Sequence, residues 1–175
     1  MLAAANTFQW SRVWRNDVTL HTTMVNQNPT SGRARASLGR AFKEQGDRLS
    51  ALREFRKAVE LEPGRAEYRF DLGQLLHAAN DLAGAERELR QAVRLGSDLA
   101  ETHNELGNVL LEQGQALEAI KEYQRAVQLA PQHVMAYNNL GVALLEAGNQ
   151  TEAEQAFRQA LSLDPGLALA HNNLG

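Results

Sequence analysis

The dipeptide Leu-Gly stands at residues 38–39, 72–73, 106–107, 140–141 and 174–175, always 34 residues apart. A fixed period of that length constrains the chain more than any other feature, because it implies a small unit that buries its apolar face on copies of itself. Twelve residues after each of the first four glycines stands an alanine: Ala51, Ala85, Ala119 and Ala153. Four further on is a large apolar residue (Phe55, Leu89, Tyr123, Phe157), and three beyond that alanine returns (Ala58, Ala92, Ala126, Ala160). Pro63, Pro131 and Pro165 follow at one common offset, with Ser97 in the proline position of the second unit.

Each recurring residue has a physical reason. Leu72, Leu75, Leu76 and Ala79 lie three and four apart, which is one face of a helix. Leu82, Ala85, Leu89, Ala92 and Val93 make a second such run in the same unit. Gly46, Asn80, Gly114 and Gly148 fall between the runs, and both residue types accept the left-handed conformation that ends a helix. Asp47, Asp81 and Thr151 follow closely and are expected to cap the second helix. Gly39 and its equivalents, with small alanines opposite, are expected to let the two helices of a hairpin approach closely. The prolines cannot continue a helix, so each is predicted in the turn between units.

This pattern resembles the tetratricopeptide repeat: a bulky residue, Leu-Gly, a large apolar residue, Ala, Phe or Tyr, Ala, then Pro. The first unit reads Arg35, Leu38-Gly39, Phe42, Ala51, Phe55, Ala58 and Pro63. The third reads His103, Leu106-Gly107, Leu110, Ala119, Tyr123, Ala126 and Pro131. The resemblance implies an all-α fold, a right-handed superhelical solenoid of antiparallel helix hairpins. It divides the chain into repeats at 32–65, 66–99, 100–133 and 134–167, with a fifth beginning at 168–175. It departs from the family at the first bulky position, where Arg35, Arg69, His103 and His171 stand and Tyr137 alone is aromatic. Looser local packing is expected there.

Residues 1–31 read as a capping element or degenerate repeat. Pro29 precedes Leu38 by the spacing that separates Pro63 from Leu72, so 14–27 is predicted as a second helix. Asp17 and His21 take the places of an alanine and a large apolar residue. Trp10, Trp14, Leu20 and Met24 are expected to form its buried stripe. The string Trp14-Arg15-Asn16-Asp17, continuing through Leu20 to Asn28-Pro29, also resembles the stretch after the last membrane span in some bacterial multispanning glycosyltransferase-like repeat proteins. That resemblance implies a second possible role, as the non-catalytic appendage of a membrane-anchored enzyme that positions protein substrates. At the other end the chain is expected to be an excerpt of a longer array, whose unpaired last helix associates with itself or another chain. The compartment stays open between the cytoplasm and, for a membrane-anchored parent, the periplasm.

In the family the first helix of each hairpin lines the concave surface, and ligands lie against it. The resemblance places Arg33, Ala36, Ser37, Arg40 and Lys43 on that surface in the first unit, and Glu67, Phe70, Asp71, Gln74 and His77 in the second. The third contributes Glu101, Asn104, Glu105, Asn108 and Leu111. The fourth contributes Met135, Asn138, Asn139, Val142 and Leu145, and Leu169, Asn172 and Asn173 begin the fifth. The expected groove runs from basic through acidic to amide-rich. Its asparagines both donate and accept, so they suit the main chain of an extended peptide. A similar asparagine row occurs in nucleocytoplasmic O-linked sugar transferases. The cations that chaperone-binding members use to clamp an acidic tail are replaced by Ala36, Glu101 and Glu105.

Composition excludes several other classes. The chain has no cysteine, which rules out thiolate metal sites and disulfides. No phosphate-cradling glycine loop, zinc-protease helix motif or nucleophile elbow occurs, and the glycines recur with the hairpins, so catalysis and cofactors are not expected. Residues 1–65 carry 11 Lys/Arg against 6 Asp/Glu, whereas 66–175 carry 7 against 15. An acidic array repels phosphates, so the expected partner is a protein or extended peptide and not nucleic acid.

Overall fold

The structure, a computed structural model, describes residues 17–96 and 99–174. It forms two compact units, Met1–Leu75 and Leu76–Gly175, with the division falling inside one helix. Among the described residues the fold is all α. Helix α1 covers 17–27, followed by α2 (Gly32–Glu44), α3 (Arg48–Leu61), α4 (Ala66–Ala78), α5 (Leu82–Arg94) and α6 (Ala100–Glu112). Then come α7 (Ala116–Leu129), α8 (Val134–Glu146), α9 (Gln150–Leu163) and α10 (Ala168–Leu174). Even-numbered helices from α2 onward are the first helices of hairpins; odd-numbered ones are the second.

The hairpin turn is the same local structure each time. Gly46 (φ 82°), Asn80 (φ 62°), Gly114 (φ 77°) and Gly148 (φ 81°) all adopt the left-handed conformation. The next amide then bonds back to a carbonyl five residues earlier, as in Asp47 N–H to Phe42 (2.9 Å), Gln115 to Leu110 (2.9 Å) and Asn149 to Leu144 (2.8 Å). This closes the first helix and frees the chain to reverse. Asp47 and Asp81 cap α3 and α5, accepting from the Ser50 amide at 3.1 Å and the Gly84 amide at 2.9 Å. Thr151, expected to cap α9, instead lies inside that helix; Asn149 holds the cap position without a side-chain bond.

In the hairpins α2–α3, α6–α7 and α8–α9 the Leu-Gly glycine meets a ring and not a small alanine. A Cβ on Gly39 would come 2.9 Å from the Phe55 ring; on Gly107 it would come 2.6 Å from Tyr123, and on Gly141 2.5 Å from Phe157. The rings stack on bare backbone, which is why the repeat couples a glycine on one helix to a large residue on the next. Alanines have a different task, packing one hairpin on the next. Ala36, Ala58 and Tyr68 form one such cluster in unit 1, and Ala100, Ala126 and Ala136 another in unit 2. The second repeat departs where its proline is replaced by Ser97. There α5 stops a residue early, at Arg94, and Gly96 turns left-handed (φ 83°). Ser97 itself lies outside the described residues.

The polar residues at the first bulky position find polar partners, although Arg35 Nε and His103 Nε2 are buried without one. In unit 1, Arg35 pairs with buried Glu54 at 2.8 Å and donates to the Pro29 carbonyl, while Arg69 donates to the Pro63 carbonyl at 3.1 Å. In unit 2, His103 meets Glu122 at 2.7 Å and His171 meets the Pro165 carbonyl at 2.9 Å. The long side chain thus ties its helix to the preceding turn or to its hairpin partner.

Helix α1 packs through Val25 and Val18 against Ala34, Leu38 and Phe42. The expected stripe is corrected here: Leu20 and Met24 are 57% and 42% exposed. Trp10, Trp14, Arg15 and Asn16 lie outside the described residues, so the glycosyltransferase-like string is described only from Asp17 onward. No helix among the described residues is long and apolar enough to cross a membrane.

Candidate functional site

In unit 2 the polar side chains at the fifth, sixth and ninth positions of the first helices are joined. The Asn139 amide nitrogen donates to Asn104 Oδ1 (3.2 Å) and to Asn108 Oδ1 (3.0 Å), crossing from α8 to α6. Asn138 donates to Asn139 Oδ1 (3.3 Å) and accepts from Asn173 on α10 (3.3 Å). On the other side the Asn108 nitrogen reaches Glu105 (3.4 Å), and the Tyr123 hydroxyl donates to Asn108 Oδ1 (2.9 Å). Glu105 Oε1 lies 2.8 Å from His77 Nδ1, and Glu112 Oε1 lies 2.9 Å from His77 Nε2. A strip of bonded polar side chains therefore runs from His77 at the end of α4, across α6 and α8, to Asn173 on α10.

Its electrostatics follow from those contacts. Burial opposes a charge on His77, but hydrogen bonds to Glu105 and Glu112 outweigh it and raise the imidazole above its ordinary value. Only the imidazolium can donate from both ring nitrogens at once, so the two carboxylates select that form. Burial first, and then the carboxylates of Glu105, Glu112 and Glu146, push the Tyr123 hydroxyl well above the usual phenol range, so it stays a donor.

Of the residues predicted for the groove, the strip brings together His77, Asn104, Glu105, Asn108, Asn138, Asn139 and Asn173. Glu101 and Asn172 are exposed on the same helices. Asn138, at 4% exposure, is buried and donates to Asn139. Glu112 and the Tyr123 hydroxyl belong to the strip but were not predicted. Glu112 could have been found, because it stands at the repeat position that recurs as Glu146.

In unit 1 the predicted residues are engaged with each other. Arg40 pairs with Asp71 at 2.6 Å, and Lys43 donates to Gln74 at 3.0 Å. Asp71 is buried, which raises its carboxyl above the usual range even though Arg40 pulls it down. Of the basic end expected of the groove, Arg40 meets a carboxylate, whereas Lys43 meets a neutral amide; Arg33 and Glu67 stay exposed, and Phe70 is half-buried. Among the described residues no cluster of three His, Asp or Glu side chains is placed to hold a metal.

Comparison with known proteins places this arrangement. The profile described as tetratricopeptide repeat matches residues 37–100 and 104–168. The chain belongs to the tetratricopeptide repeat family. No curated protein matches it. Among solved structures, MamA superposes with a TM-score of 0.82 at 22% identity, over 90% of this chain and 92% of that one. YrrB, described as a tetratricopeptide protein with an unusual peptide-binding site, gives 0.81 at 20% identity over 96% and 87%. The Cut9–Hcn1 hetero-tetramer of the APC/C gives 0.75 at 20%, over 94% of this chain and 33% of that one. These likenesses establish the all-α hairpin-repeat fold. Tetratricopeptide proteins are in general scaffolds that hold proteins or peptides.

Proposed function

We propose that this tetratricopeptide chain is a non-catalytic scaffold that holds another polypeptide, extended across the first helices of unit 2. The observation that carries the reading is the strip itself. Amides from α6, α8 and α10 meet at hydrogen-bond distance on one surface. Each asparagine has two donors and two acceptor sites, and the strip uses only part of that capacity. The mutual bonds hold the side chains in fixed rotamers, so a peptide backbone meets oriented partners and loses less entropy on binding. That a protein of similar fold, YrrB, is described with a peptide-binding site is consistent with this reading.

Selection of a random peptide library displayed on phage against the whole chain tests it. Asn139→Ala should weaken the selected peptides by about 1–3 kcal/mol, because peptide groups buried against the strip lose a partner. Asn139 is the informative position, since Asn138 is buried and its loss would disturb the fold as well. Full affinity in Asn139→Ala would place the binding surface elsewhere.

A further inference from the structure

Unit 2 separates its charges by helix. Helices α6, α8 and α10 contain no lysine or arginine. The unit's lysines and arginines, Arg87, Arg90, Arg94, Lys121, Arg125 and Arg158, all stand on α5, α7 and α9. There Arg90 pairs with Glu86 and Glu118, and Arg158 pairs with Glu154. Among the described residues, the carboxylates of α6 and α8 receive no such arginine. Glu105 and Glu112 share His77, while Glu101 and Glu146 enter no ion pair among the described residues.

The repeat makes the case of Glu146 specific. One period on from His77 stands Leu111, and one period on from Glu112 stands Glu146. The contact that His77 makes with Glu112 on α6 therefore has an equivalent place between α6 and α8. At that place the carboxylate is kept, but the cation is replaced by a half-buried leucine. Glu146 is exposed there. A lysine or arginine fits both features, because its aliphatic stem can lie on Leu111 while its charged head reaches Glu146. An acidic ligand would meet Glu101, Glu105, Glu112 and Glu146 together and be repelled.

We propose that the partner of unit 2 is a cationic extended polypeptide, which seats a lysine or arginine at Glu146 as His77 is seated at Glu112 and runs its backbone along the asparagine strip. This rests on the reading that the strip holds a peptide. It adds the chemistry that chooses which one.

The test uses the whole chain and three labelled twelve-residue peptides, alternating alanine with lysine, with glutamine or with glutamate, followed by fluorescence anisotropy. The lysine peptide should bind tightest, and its affinity should fall as salt is raised. Glu146→Gln should weaken it about three- to fivefold and leave the glutamine peptide unchanged, the size expected for one partly exposed ion pair. Leu111→His, which supplies the missing cation from within, should weaken the lysine peptide to a similar extent. Glu152→Gln, on the exposed side of α9, removes the same charge away from the strip and should change nothing. Equal losses from Glu146→Gln and Glu152→Gln would mean attraction by net charge alone and would overturn the proposal. So would a glutamine peptide that binds as tightly as the lysine peptide, although the strip would then still hold peptides. Binding of none of the three would overturn both readings.

Discussion

At Gly107 the limits on substitution are set by one ring. A methyl group there would stand 2.6 Å from Tyr123 Cε1, and Tyr123 cannot swing away without breaking its bond to Asn108. Gly107→Ala should therefore destabilise unit 2 by about 1–3 kcal/mol, the cost of overpacking a filled core, measured by urea denaturation. Gly114→Ala tests a different term. An added methyl at Gly114 has open space around it, but its φ of 77° strains any side chain, at a cost of about 1 kcal/mol. Both glycines were legible in the sequence as repeat positions, and the left-handed role of Gly114 was legible as well. The ring that faces Gly107 was not, because spacing along two helices does not tell which residues meet across the crossing. Nor was the use of Arg35 and His103 as ties to Glu54 and Glu122, since a polar residue at a usually aromatic position reads as a defect until its partner is seen.

At the scale of the element, α6 is held to the end of α4 by a histidine between two carboxylates. His77 has its pKa raised in the folded protein, so its contribution is fully present below the unfolded value, roughly 6.5. That contribution is lost as pH rises through the folded value, because the native state holds the proton longer than the unfolded one. Stability of unit 2 should thus fall with rising pH in this window, and His77→Gln should flatten the slope; a slope unchanged by His77→Gln would assign it to another group. The carboxyl of Asp71 is also raised, by burial, but it stands in unit 1. Sequence reasoning put His77, Glu105 and the asparagines on one surface from the family pattern. It could not show that they bond to one another, because the repeat gives the register of side chains along each helix but not their rotamers. Asn138 illustrates the limit: one residue of turn separates it from Asn139, and that step carries it from the surface into the core.

At the scale of the whole molecule, a repeat chain gains stability from neighbours and not from a single centre. In unit 2 the stacking of α8 on α7 rests on Ala126 and Ala136, and α10 adds to α9 and α8 beyond them. Damage should therefore spread along the array only as far as the stacking it removes. Gly141→Ala drives a methyl into Phe157 and should unseat α8 from α9. Hydrogen exchange should then show the largest loss of protection in α8, α9 and α10, a smaller loss in α6 and α7, and little in α2 and α3 of the other unit. Local opening of this kind is what a nearest-neighbour system allows, whereas a single cooperative core would lose protection everywhere by the same free energy. Uniform loss across both units would contradict the repeat logic on which the strip depends, because that logic is what keeps α6, α8 and α10 in register for a ligand. Protection retained in α6 and α7 alone would show the opposite, that two hairpin helices suffice to hold Asn104, Glu105 and Asn108 in place.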